Sequence, residues 1–190
     1  LLALARDGEP NLRMAVASSP RLPLDAFVAL ANDPDAAVRQ HVAQVIKSGY
    51  HQPLPGSRQG TSLRKEGKQL VLPEALTCLV DSTYLEIRSA IAQHPQVPAN
   101  LLARLLDDKR VFDWDEEDSD KPWGPERKLR PFSVLHERTW NSPADWQVLV
   151  RVSNPQARGV LAFSDGTPNG IVDLLAGDAD AHVRECVLSN

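Results

Sequence analysis

The chain has 190 residues, of which 42% are hydrophobic and 24% are charged, as in an ordinary globular domain or a short repeat array. Its formal net charge of −4 argues against a general nucleic-acid binder, because neutralising phosphates requires clustered Lys and Arg. Only 5% of the residues are aromatic and 15 are Pro, which disfavours a large β-sandwich core and favours many short helices with Pro at their ends.

The two cysteines are too few for a disulfide framework, and neither belongs to a CxxC pair, so we expect no metal and no cofactor. Cys78 and Cys186 lie in apolar helical patterns, which predicts that both are small buried side chains. No apolar run approaches the roughly 20 residues that span a bilayer. The opening "LLALARDGEP" lacks the features of a signal peptide and is typical of the end of a helix. We therefore expect a cytoplasmic protein without membrane contact, whose repeats begin upstream.

Internal repeats are the main signal along the chain. Apolar patterns with helical spacing begin at five prolines, at intervals of 50, 25, 45 and 25 residues: Pro23, Pro73, Pro98, Pro143 and Pro168. The shorter interval is one repeat, and the longer intervals are repeats enlarged by an insertion. Each unit is predicted to contain a helix after the proline, a turn such as "NDPDAA" or "GDADAH" whose Asp caps the next helix, and a second short helix.

An arginine provides a second, independent anchor for the repeat. It follows an aliphatic residue, with one weaker copy after Ala, and it lies 10 residues before a repeat proline or 15 to 16 residues after one. The five copies are Arg13, Arg39, Arg88, Arg158 and Arg184. Helices of two or three turns cannot bury their apolar faces alone, so we expect neighbouring units to stack.

The period of about 25 residues, with segments such as "DPDAAVRQHVA" and "PANLLARLL", resembles the leucine-rich repeat variant family. The resemblance covers about three quarters of the chain and fails near residues 45–69 and 107–132. It implies an all-α, right-handed, HEAT-like α-solenoid in which α-helices alternate with short or 3₁₀ helices. Residues 1–190 would then form a single repeat domain with two inserted loops. Some members carry an iron–sulfur module, but two cysteines cannot supply the four thiolates of such a cluster.

The repeated arginines allow two interpretations. As a ladder along one ridge, they could bind phosphates or an acidic partner. Alternatively, each guanidinium could bridge to a carboxylate of a neighbouring unit, such as Asp33, Asp81 or Asp178, or to carbonyls at a helix end. We favour the second interpretation because the arginine recurs together with the turn aspartate.

The first insertion, residues 45–69, carries a net charge of +4 and is rich in Gly, Pro and Ser at its centre, which predicts a flexible basic loop. The second insertion, residues 107–132, opens with a stretch of net charge −5 over residues 107–121. Loops inserted into a solenoid often carry recognition, and aromatic anchors contribute strongly to interfaces. The candidate partner-binding residues are Arg58, Arg64 and Lys65 in the basic loop and Phe112, Trp114, Trp123, Asp115, Glu116 and Glu117 in the acidic one.

Two other interpretations of the acidic insertion concern packing and metal binding. Its aromatic side chains could pack against the core and tether the loop while the charges stay in solvent. A Ca²⁺ loop counted from Asp113 requires Gly and Glu at its sixth and twelfth positions, where this sequence has Asp118 and Gly124. The Ca²⁺ pattern is therefore not met.

No HExxH motif, Gly-rich phosphate loop or nucleophile elbow occurs, and the five histidines are scattered, so we expect no enzyme activity. We expect instead a non-catalytic scaffold that binds a protein through one solenoid face and the inserted loops. The alternative is nucleic-acid binding through the arginine ladder and the basic loop. A less favoured comparison is with HEAT-like alkylpurine DNA glycosylases, with Trp140, Trp146, Asp145 and Arg151 as the candidate residues.

Overall fold

The computed structural model describes residues 1–6, 8–19, 22–48, 73–112, 134–135, 140, 142–164 and 166–189. Apart from an isolated bridge residue at Phe112, all regular secondary structure in these ranges is helical. The predicted all-α class is therefore confirmed for the described part of the chain. The chain divides into two compact units, Leu1–Val97 and Pro98–Asn190.

The first unit contains one 3₁₀ helix and five α-helices. They are the 3₁₀ helix Leu4–Arg6, α1 (Pro10–Ala17), α2 (Leu24–Ala31), α3 (Ala36–Ser48), α4 (Pro73–Leu79) and α5 (Leu85–Gln93). The helices with described bounds in the second unit are α6 (Ala99–Leu106), α7 (Pro143–Leu149), α8 (Pro155–Phe163), α9 (Asn169–Ala176) and α10 (Ala181–Leu188).

Helices of two kinds alternate along the chain, and their spacing is constant. In each of the pairs α2–α3, α4–α5, α7–α8 and α9–α10, the second helix begins 12 residues after the first. The repeat arginine is the fourth residue of every second helix and also of α1. The predicted proline spacing varies by one residue because Pro73 and Pro143 are the first residues of their helices, whereas Pro23 and Pro168 precede theirs.

Packing in the first unit joins helices of the same kind. The second helices pack in order, α1 on α3 and α3 on α5, while the first helix α2 packs on α4. Phe27, Leu30, Val42 and Ile91 are among the buried side chains of this core. Helices of this length are only marginally stable alone in water, so the packing supplies most of their stability.

The second unit repeats this kind of packing. The first helix α6 packs on α7, the second helix α8 packs on α10, and α9 contacts both α8 and α10. Gly159 lies where α8 meets α10, because a Cβ added there would stand 3.1 Å from Cys186 Sγ and 3.2 Å from His182 Nε2. The absence of a side chain at Gly159 therefore allows the close approach of these two helices.

Three details differ from the sequence-based expectations. Helix α3 continues to Ser48, with Val45 and Ile46 buried, so residues 45–48 of the expected basic loop are helical. The other residues of that insertion, and residues 113–132 of the acidic one, lie outside the described residues. Cys78 is exposed, so its predicted burial is wrong; it lies on the outer side of α4, whose buried residues include Leu76 and Leu79. Cys186 is half-buried.

Candidate functional site

The repeat arginines make their strongest contact with an aspartate 20 residues later. Arg13 donates from Nε to Asp33 Oδ2 at 2.7 Å and from Nη2 to Asp33 Oδ1 at 2.9 Å. The side chains of Arg13 and Asp33 are 11% and 4% exposed, so this bidentate pair is largely shielded from water. Asp33 Oδ1 also accepts the backbone N–H of Asp35 at 2.8 Å. One carboxylate therefore closes the turn before α3 and ties that turn to α1.

The second unit contains the same arrangement. Arg158 donates from Nε and Nη2 to Asp178 at 2.7 and 3.0 Å, and Asp178 accepts the N–H of Asp180 at 2.9 Å. The hydrogen bonds from Arg158 hold the pKa of the Asp178 carboxyl below its ordinary value, and the same contact raises the pKa of Arg158. Asp180 in turn accepts the N–H of His182 at 2.9 Å and caps α10.

The remaining donors of each guanidinium close the arginine's own turn. In every copy Nη1 donates to a backbone carbonyl five or six residues earlier in the chain. The printed contacts run from Arg13 to Gly8 at 3.2 Å, from Arg39 to Asp33 at 2.7 Å, from Arg88 to Ser82 at 2.6 Å, from Arg158 to Val152 at 2.7 Å and from Arg184 to Asp178 at 2.6 Å. The arginine is thus a local turn residue as well as a link to the next pair.

Arg39 departs from the pattern because its following turn lacks the aspartate. Ser82 occupies that position, and its Oγ accepts the N–H of Tyr84 at 3.3 Å, so the turn is kept. Arg39 instead donates from Nε to Glu86 at 2.8 Å and lies with Cζ 4.0 Å from the centre of the Tyr84 ring. Carboxylate partners of the kind expected for a structural role therefore occur in both units, whereas a continuous ridge of all five arginines stays a prediction.

An uncharged cavity lies between the first helices of two consecutive pairs in the second unit. Its volume is about 330 Å³, and its lining comprises Trp140, Pro143, Trp146, Gln147, Pro168, Gly170 and Ile171. Buried Trp146 donates from Nε1 to the carbonyl of Trp140 at 3.0 Å, which fixes one ring relative to the other. The Trp140 Nε1 atom is buried and meets no hydrogen-bond acceptor among the described residues. The cavity thus offers aromatic rings, proline rings and one indole N–H.

Two pairs of reactive side chains also lie close together. Ser18 Oγ and His41 Nε2 are 2.7 Å apart, and Cys186 Sγ is 3.7 Å from His182 Nε2. Burial lowers the pKa of His41, which makes this imidazole a weaker base. Burial raises the pKa of the Cys186 thiol, with a smaller contribution from the charge of Glu185. Neither environment activates a nucleophile.

The structure describes few of the partner-binding candidates named from the sequence. Phe112 is fully buried, in agreement with the alternative that aromatic residues of the acidic insertion pack into the core. The other candidates lie outside the described residues: Trp114, Trp123, Asp115, Glu116, Glu117, Arg58, Arg64 and Lys65.

Sequence reasoning missed the cavity between α7 and α9. It used Pro143 and Pro168 only as markers of helix starts and considered Trp140 and Trp146 only for the glycosylase comparison. Asp145 and Arg151, the other residues of that comparison, are not part of the cavity lining. The available signal was the presence of Trp residues near one repeat proline, at the unit before another.

Metal and membrane sites were sought in the same described ranges. No three His, Cys, Asp or Glu side chains there come together to hold a metal ion. No helix within those ranges has the length and apolar character needed to cross a membrane. Comparison of the chain with protein-family models, curated proteins and solved structures finds no match.

Proposed function

We propose that this chain is a non-catalytic, cytoplasmic repeat scaffold that binds a protein partner, and that the cavity between α7 and α9 is one of its contact sites. The cavity supports this proposal because aromatic and proline rings form an uncharged surface next to one unsatisfied donor, Trp140 Nε1. An apolar side chain of a partner would fill such a space, and a partner carbonyl would accept the indole N–H.

The proposed architecture is a right-handed, HEAT-like solenoid related to the leucine-rich repeat variant family. The constant offset of 12 residues between helix starts supports it, as does the packing of like helices within each unit. The contact from an arginine to the aspartate 20 residues later supports it further, because the same link recurs in both units. Stacked helix pairs of this kind bind partners through extended surfaces.

Nucleic-acid binding through the arginines is the less favoured alternative. Arg13 and Arg158 each have a bidentate carboxylate partner, and Arg39 pairs with Glu86. A phosphate would have to displace these carboxylates, and the chain as a whole has a net charge of −4. These contacts weigh against a phosphate-binding ridge.

Selection of peptides from a phage-displayed random library tests the proposal at the cavity. We expect the intact chain to enrich apolar peptides that change its tryptophan fluorescence, and Gly170→Trp to abolish their binding by filling the space. A Cβ at Gly170 has no heavy atom within 4 Å, so the fold accepts a side chain there. Asn100→Trp is the matched control, because it also replaces the exposed second residue of a first helix. Peptides that bind both variants equally, or no enrichment, would refute the cavity as a contact site.

Deletion of residues 113–125 tests the acidic insertion separately. This deletion spares Val111 and Phe112, which are buried and belong to the core. If the insertion contributes to partner binding, helicity and the melting temperature should stay unchanged while the affinity for a selected partner falls. Unchanged affinity would exclude the insertion from the interface.

A further inference from the structure

Helix α10 exposes a face that is buried in earlier second helices. Three and four residues after the repeat arginine, α1 has Val16 and Ala17 and α8 has Leu161 and Ala162, all of them buried. The corresponding residues of α10 are Val187, which is half-buried, and Leu188, which is 87% exposed. The apolar positions that pack in the other copies are thus open to solvent in α10.

The arginine of α10 is also incompletely bonded. Its Nη1 donates to the carbonyls of Asp178 and Ala179 at 2.6 and 2.9 Å, as the turn geometry of the repeat requires. In Arg13 and Arg158, Nε and Nη2 hold an aspartate 20 residues later. The same two atoms of Arg184 have no acceptor among the described residues, and the residue is exposed. Its guanidinium is therefore oriented by its own turn while one edge remains available.

The α8–α10 contact shows what such a face accepts. Helix α8 packs on α10, and its arginine holds Asp178 in the turn that precedes α10. A docking partner for α10 should combine the same two features, an apolar helix face and an aspartate in a tight turn. A carboxylate complements the charge and the planar fork of Arg184.

We propose that the face of α10 formed by Arg184, Val187 and Leu188 docks a further helix pair whose connecting turn presents an aspartate to Arg184. The proposal rests on the continuation of the α8–α10 type of contact and on charge complementarity, and it does not depend on the cavity between α7 and α9. The exposed leucine supplies apolar area, and the arginine supplies the register.

A tandem duplication of residues 164–189, inserted after Ser189, provides a defined helix pair of this chemistry. It places the duplicate of Asp178 20 residues after Arg184, the separation seen for Arg158 and Asp178. We expect added helicity by circular dichroism, a higher melting temperature and amide exchange in α10 slowed by about tenfold or more. Unchanged exchange in α10, or no added helicity, would overturn the proposal.

Two substitutions separate docking from simple chain extension. In the duplicated chain, Leu188→Glu should remove most of the protection of α10, and replacing the duplicate of Asp178 by Asn should remove part of it. In the unextended chain, Leu188→Glu should leave the melting temperature unchanged because Leu188 is already exposed. If the unextended chain sediments as a dimer that Leu188→Glu converts to a monomer, a second copy covers the face through α10, and the proposal is wrong.

Discussion

The two aspartates of the α2–α3 turn have separate roles. Asp33 is buried, binds Arg13 and accepts the N–H of Asp35, so it connects the turn to another helix. Asp35 accepts the N–H of Ala37 at 2.8 Å and caps only its own helix. The α9–α10 turn repeats this division with Asp178 and Asp180. The sequence indicates a capping aspartate in each turn, but only the contacts show which residue caps and which pairs.

Replacing Arg13 by Met should destabilise the chain by about 3 kcal/mol, because Asp33 would keep a buried charge without its partner. Arg184→Met is the matched control, since Arg184 occupies the same helix position without a carboxylate partner in the described residues. Its loss should be less than about 1 kcal/mol. Urea unfolding at neutral pH measures both, and equal losses would contradict a structural role for the Arg13–Asp33 pair.

Acidification should remove the contribution of Asp178 to stability. The hydrogen bonds from Arg158 place the pKa of Asp178 in the folded chain below its ordinary value of 3.8. The unfolded chain therefore takes up the proton first as the pH falls, so the stabilisation is complete above the ordinary value and is lost as the pH drops through the folded one. Asp178→Asn should be less stable than the wild type at pH 7, and the difference should vanish in strong acid. A difference that is independent of pH would argue against this ion pair.

At the scale of elements, the constant distance between helix starts determines where each arginine lies. Because every second helix begins 12 residues after the first and carries its arginine at the fourth position, the guanidinium always reaches back to the carbonyls of its own turn. A one-residue change in turn length would rotate the arginine away from these carbonyls by about 100° around the helix axis.

Gly159 gives a prediction about the contact between α8 and α10. An Ala in the middle of a helix gains about 1 kcal/mol over Gly, but here its Cβ would displace Cys186 Sγ and His182 Nε2. Gly159→Ala alone should therefore change the free energy of unfolding little. In the His182→Ala background, where one of the crowding groups is gone, the same substitution should stabilise by about 1 kcal/mol. Thermal unfolding of the four variants tests this, and additive effects would contradict close packing at Gly159.

Local signals account for what the sequence predicts well. The helix starts follow from Pro and apolar spacing, and the register of the arginines follows from their recurrence. Burial of Phe112 and exposure of Cys78 were not predictable, because each depends on which side of a short helix or turn faces a neighbour. The cavity between α7 and α9 combines residues from two units of the repeat, which periodicity within one helix does not reveal.

At the scale of the molecule, charge and contacts together predict weak affinity for nucleic acid. Two of the repeat arginines already hold carboxylates in bidentate pairs, and the net charge is −4. Fluorescence anisotropy with labelled duplex DNA and single-stranded RNA at about 50 mM salt should detect no binding. Binding that weakens steeply with added salt would instead favour the nucleic-acid alternative.

The link between consecutive helix pairs can be measured directly by double-mutant cycles at Arg13 with Asp33 and at Arg158 with Asp178. If stacking of repeated pairs depends on these contacts, both cycles should give a coupling of about 1 kcal/mol or more in the free energy of unfolding, and a cross-cycle of Arg13 with Asp178 should give none. Absence of coupling in the two direct cycles would show that the arginines do not connect one helix pair to the next.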